Sequence, residues 1–90
     1  MEFVGAYVKE RDFGCWLVRV SPRIFEDPVE REKVKKAVEF YFRGTPVVLC
    51  LRRADGKVRF RGPEEVVRKM SRYRWTDIPW KKYRVGKKKA

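Results

Sequence analysis

The chain has 90 residues, of which 43% are hydrophobic, 14% aromatic and 40% charged, with a net charge of +12. That length holds one hydrophobic core and no second domain, and the apolar fraction argues against wholesale disorder. With no His, Asn or Gln and only two Ser and two Thr, the chain lacks the side chains for a Ser-His-Asp or Cys-His nucleophile, and its two Cys fall short of a zinc site.

Residues 2–9 form an apolar run rich in aromatic and β-branched side chains, which predicts a strand. A polar turn, Lys9-Glu10-Arg11-Asp12, separates it from a second predicted strand over 13–20, and so short a connection implies an antiparallel hairpin. Ser21-Pro22 ends the second strand, because Pro cannot donate to a central ladder. Asp27-Pro28 is a helix start, with Asp as N-cap and Pro at the first helical position. Val34, Ala37, Val38, Tyr41 and Phe42 then make one apolar stripe, and Gly44 and Pro46 end the helix. Residues 47–51 are apolar without alternation, as in a strand covered on both faces. Asp55-Gly56 signals a hairpin turn, followed by the alternating strand Lys57-Val58-Arg59-Phe60-Arg61. A second helix starts at Gly62-Pro63-Glu64-Glu65 and ends near residues 72–74. The order is ββαββα: an α+β domain with a four-stranded mixed sheet, its second and third strands parallel, and two helices packed on it. Residues 1–85 are expected to be one domain, and 86–90 a disordered basic tail.

The charge is unevenly placed. Residues 1–42 carry eight basic and eight acidic side chains, whereas residues 43–90 carry sixteen basic and four acidic. That asymmetry suggests a face that binds a polyanion; the competing reading is a solvated thermophile surface with a basic tail. In the first basic constellation, Arg52, Arg53, Lys57, Arg59 and Arg61 flank the predicted hairpin turn. With a two-residue loop, Arg52 faces Arg59, and Arg52, Lys57, Arg59 and Arg61 share one side. A three-residue loop with a bulge shifts the partners, but alternation keeps Lys57, Arg59 and Arg61 together. Cations about 7 Å apart along a strand match the scale of phosphate spacing. The competing reading is an edge strand that carries charge to prevent aggregation.

In the second constellation cations alternate with aromatics: Arg72, Tyr73, Arg74 and Trp75, then Trp80, Lys81, Lys82, Tyr83 and Arg84. Single-stranded nucleic acid is held by this combination, with cations along the backbone and aromatic faces stacked on bases. The competing reading folds Trp75, Ile78 and Trp80 back over the small core, leaving Tyr73 and Tyr83 exposed. Trp16 is a further stacking candidate on the first hairpin, although core packing is the stronger expectation for both Trp16 and Tyr7. Cys15 and Cys50 lie in apolar strands and read as buried, inert thiols, ahead of a disulfide. The acidic residues Glu26, Asp27, Glu30 and Glu32 bunch at a helix start, where capping and the helix dipole account for them.

These readings predict sequence-tolerant binding of single-stranded DNA or RNA, with no catalytic residues, no metal and no cofactor. The alternative is a protein-interaction or ribonucleoprotein accessory subunit docking through the same basic and aromatic face. A small metal-independent ribonuclease is the least favoured. No apolar stretch is long enough to span a membrane, and Met1-Glu2-Phe3 lacks the basic start and apolar run of a signal peptide. A cytoplasmic location is therefore expected, with homo-oligomerisation left open. The lack of thermolabile Asn and Gln indicates a thermophilic source. In size, composition and strand-rich plan, with Lys57-Val58-Arg59-Phe60-Arg61 and the stretch from Tyr73 to Arg84, the chain resembles the ThermoDBP family of archaeal single-stranded nucleic-acid-binding proteins. The resemblance implies a small sheet with helices forming a cleft lined by basic and aromatic side chains.

Overall fold

The first two apolar segments of the chain pair with each other. β1 (Glu2–Glu10) and β2 (Phe13–Arg19) form the expected antiparallel hairpin, with Tyr7 opposite Trp16 and Val8 opposite Cys15. The computed structural model describes residues 2–11 and 13–84; the expected tail at 86–90 lies outside them. After β2 come α1 (Pro22–Glu26), α2 (Pro28–Tyr41), β3 (Val47–Arg52), β4 (Val58–Arg61), α3 (Glu64–Met70), a 3-10 turn at Trp75–Asp77 and β5 (Lys81–Arg84). The protein is a small α+β domain with a mixed sheet in the order β4-β3-β2-β1-β5. Among the described residues, only the β2–β3 pair is parallel. Among the described residues, no helix is long and apolar enough to cross a membrane.

Among the described residues the sheet has five strands and the domain three α-helices, against an expected four and two. The extra helix, α1, uses the Ser21-Pro22 signal differently from expectation. The Ser21 hydroxyl accepts a hydrogen bond from the Ile24 N–H, and Pro22 occupies the first turn. One turn is too short to show a period. It is held by Phe25, which is 1% exposed. The extra strand, β5, lies antiparallel to β1, with Phe3 opposite Tyr83. Its four residues carry a single apolar side chain, so alternation could not distinguish a strand from a basic loop.

α2 begins as expected: Asp27 Oδ1 accepts from the N–H groups of Val29 (2.9 Å) and Glu30 (3.3 Å). Asp27→Ala should therefore cost about 1 kcal/mol. A urea titration that shows no lower midpoint would contradict this role. Of the expected stripe, Val38 is fully buried and Val34 and Phe42 pack partly, while Tyr41 and the neighbouring Phe40 stay exposed. β3 is buried at every position from Val47 to Leu51, as its unbroken apolar run predicts.

Each sheet face carries its own core. Under α3 and the chain that follows it lie Ala6, Val8, Cys15, Leu17, Val48 and Cys50, joined by Val66, Met70 and Ile78. Under α2 lie Phe3, Trp16, Val18, Val47 and Leu49, joined by Val38. Both cysteines are free and fully buried. Cys50 pairs with Arg19, four positions from Cys15 along β2, so the strand register keeps the two sulfurs apart. Burial pushes the Cys15 thiol up to about 11 and raises Cys50 as well. An unfolded thiol ionises nearer 9, so the unfolded chain releases protons first. Stability should be unaffected by these groups below pH 9 and fall from there toward pH 11, by about 1.4 kcal/mol per pH unit per thiol. Native protein at pH 8 should resist alkylation at both thiols until denatured. Rapid labelling of the folded state would show that either site opens to solvent.

Candidate functional site

The hairpin after β3 closes through a three-residue loop. The Arg53 N–H donates to the Lys57 carbonyl (2.7 Å) and the Gly56 N–H to the Arg53 carbonyl (2.9 Å). Gly56 takes φ +90°, which glycine adopts at little cost, and the Asp55 carboxylate accepts from the Lys57 N–H (3.0 Å). This loop sets Arg52 opposite Val58, Leu51 opposite Arg59 and Leu49 opposite Arg61. Arg52 therefore lies on the α3 face, away from Arg59 and Arg61. The two-residue register, which would have put them together, is corrected. Arg59 and Arg61 project on the α2 face with their guanidiniums 5.7 Å and 5.5 Å from the Phe25 ring centroid. Arg52, Arg53, Lys57, Arg59 and Arg61 are all exposed. None of them is in an ion pair among the described residues.

The basic residues of the C-terminal stretch are placed differently. β4 and β5 are the two opposite edges of the sheet, so the constellations do not merge into one row. Arg84 reaches Glu2 at 2.8 Å and Lys82 reaches it at 3.6 Å. The hydrogen bond from Arg84 and the charge of Lys82 hold the Glu2 carboxyl below its usual range. Arg74 pairs with Asp77 at 3.1 Å. Arg72 and Lys81 are exposed and unpaired among the described residues.

The aromatics divide in the same way. Trp16 is 8% exposed, stacked on Phe42 at 4.1 Å and edge-on to Tyr83 at 5.1 Å. It is core, and its stacking candidacy is withdrawn. Tyr7, expected to be core, is 42% exposed beside it. Tyr83 is half-buried and stacked on Phe3 at 5.4 Å. Tyr73 is half-buried, and its hydroxyl donates to the Glu10 carboxylate, which raises the phenol's pKa. Neither tyrosine is the open ring expected. Trp75 and Trp80 are half-buried against the α3-face core, with centroids 4.7 Å apart and the Trp80 indole N–H donating to the Trp75 carbonyl (3.0 Å). The Arg19 guanidinium lies over both rings, at 5.1 Å and 5.5 Å.

No protein-family model matches the chain, and no curated protein and no solved structure matches it significantly.

Three cations beside these faces were not singled out in the sequence. Arg19 shares its side of β2 with Leu17 and Cys15, so alternation assigns its face, but its Trp partners come from a distant part of the chain. Arg31 and Lys35 sit in the charge-balanced half. Folding brings them, with Arg61, around a pocket of about 200 Å³ between α2 and β4. Among the described residues no cluster of three or more Cys, Asp or Glu is arranged to hold a metal ion.

Proposed function

We propose that the protein binds single-stranded DNA or RNA without strong sequence preference, through the β4 edge of the sheet. The observation that carries this reading is the row of exposed cations, Arg53, Lys57, Arg59 and Arg61, with no carboxylate paired to any of them among the described residues. At the opposite edge of the sheet, by contrast, Glu2 partly neutralises Lys82 and Arg84, although other cations such as Arg72 and Lys81 are also unpaired among the described residues. Unpaired cations in a row are what backbone phosphates require, because binding is driven by release of their counterions. The Trp75–Trp80 pair lies on the α3 face, across the sheet from Arg59 and Arg61, so it supplies aromatic surface to a strand that wraps around the sheet. Its covering Arg19 is itself a group that stacks on bases, so a base can be taken up between guanidinium and indole. The absence of Asn and Gln removes the usual adenine-reading side chains and fits sequence tolerance. The ThermoDBP resemblance implies a cleft of basic and aromatic side chains.

Fluorescence anisotropy with labelled single strands and duplex at physiological salt tests the reading. Single strands should bind with an affinity that falls steeply as salt is raised. A dissociation constant weaker than about 10⁻⁴ M, the weak limit of ordinary non-specific binding, would reject it. Affinity that is indifferent to salt would favour an accessory subunit that docks on a protein.

A further inference from the structure

Three guanidiniums converge on one residue. Arg31 donates through Nη1 to the Phe25 carbonyl at 2.6 Å, and Arg59 and Arg61 stand 5.7 Å and 5.5 Å from the Phe25 ring centroid. Lys35, one turn along α2 from Arg31, lines the same pocket as Arg31 and Arg61. None of the four is in an ion pair among the described residues, and the pocket's lining offers a single carboxylate, Glu32. Like charges brought together without a counter-ion repel, and an anion placed among them relieves the repulsion. Arginines are the side chains suited to phosphate, because their forked donors meet its oxygens in pairs.

The pocket lies between a helix and an edge strand of the sheet. Its walls are α2 and β4, and its floor is Val47 and Leu49 of β3. Along β3 the next residue on that face, Leu51, belongs to a separate depression with Pro22, Glu26 and Arg52. Phe25 of α1 is buried beneath Arg59 and Arg61. Three cations, unpaired among the described residues, around one pocket of about 200 Å³ suit a single, highly charged phosphate. An end phosphate is a monoester and carries close to two negative charges at neutral pH, against one for an internal diester. We propose that the α2–β4 groove holds the terminal phosphate of a nucleic-acid strand, with Arg31, Lys35 and Arg61 as its ligands. The proposal rests on the nucleic-acid reading above and adds a preference for phosphorylated ends.

One single-stranded oligonucleotide, prepared with a 5′-phosphate, with a 3′-phosphate or with hydroxyls at both ends, is titrated in phosphate-free buffer. Phosphorylation of one end should tighten binding about tenfold, as charge-assisted hydrogen bonds to a dianion warrant, and the preferred form identifies which end is read. Lys35→Ala should erase that gain and leave the hydroxyl-ended strand within about twofold of the parent, as should Arg31→Ala if it remains folded. Lys35 makes no side-chain hydrogen bond among the described residues, so its removal does not disturb Phe25. Equal affinity for all three strands would overturn the end preference while leaving single-strand binding intact. If none of the three binds, the nucleic-acid reading fails, and inorganic phosphate decides the groove. A rise in melting temperature over chloride at matched ionic strength, lost in Lys35→Ala, keeps it as a phosphate site; no rise rejects it.

Discussion

Replacing Trp16 with Ala is expected to cost about 3–5 kcal/mol of stability, the range for emptying a buried indole site. Trp16 is the hub of an aromatic cluster: Phe3 at 6.3 Å and Tyr83 at 5.1 Å meet it nearly edge-on, while Phe42 stacks on it at 4.1 Å and Tyr7 tilts against it at 5.3 Å. Its removal leaves a cavity between the sheet and the end of α2, bordered by rings that cannot all close in. In a domain of this size each kcal/mol moves the melting temperature by roughly 4–8 °C, so a drop of tens of degrees should be seen in a thermal melt. Oligonucleotide affinity per folded molecule should be unchanged at a temperature where the variant is still native. A loss of binding with a normal melting curve would mean that Trp16 opens to stack on bases, contrary to its 8% exposure.

Arg59→Ala combined with Arg61→Ala should have the opposite profile. Single-strand affinity should fall about equally for all sequences, and the dependence of log K on log salt should become shallower by about two units, one for each phosphate contact. The stability cost should be small, because two exposed guanidiniums over Phe25 contribute on the order of 0.5–1 kcal/mol each. The matched control is Lys82→Ala with Arg84→Ala. Glu2 already neutralises those cations in part, so the same charge removed from β5 should change the slope by less than about one unit. An unchanged slope in the β4 variant would mean that Arg59 and Arg61 only guard a sheet edge against aggregation. Equal effects at the two edges would mean that binding follows net charge rather than a site.

Several parts of the fold were legible because their signals are local. The N-cap of α2 is one carboxylate and the two N–H groups next to it, so Asp27-Pro28 announces it. β3 is covered on both faces, so five consecutive apolar residues reveal it. Strand periodicity alone assigns Arg59 and Arg61 to the same side, whatever the loop does.

What failed to show was short, or depended on register. One turn of α1 and four residues of β5 contain too few apolar positions for any period. The Asp55-Gly56 signal marks a hairpin but leaves open one residue of loop length, and one residue moves a side chain to the other face. That single step separates Arg52 from Arg59.

By itself, then, the sequence determined the ββαββα core of the element order, the N-cap of α2, the parallel crossover and the excess of positive charge after residue 42. Only the tertiary structure decided which of those charges are free. It put Glu2 beside Lys82 and Arg84, laid Arg19 over Trp75 and Trp80, and turned Trp16 inward and Tyr7 outward. It also carried Arg31 and Lys35 from a charge-balanced segment to the wall opposite Arg61. The physical reason is range. Propensity and periodicity act over a few residues, whereas a side chain's exposure and its counter-ions are set by strand order and helix packing, which join segments far apart in the chain.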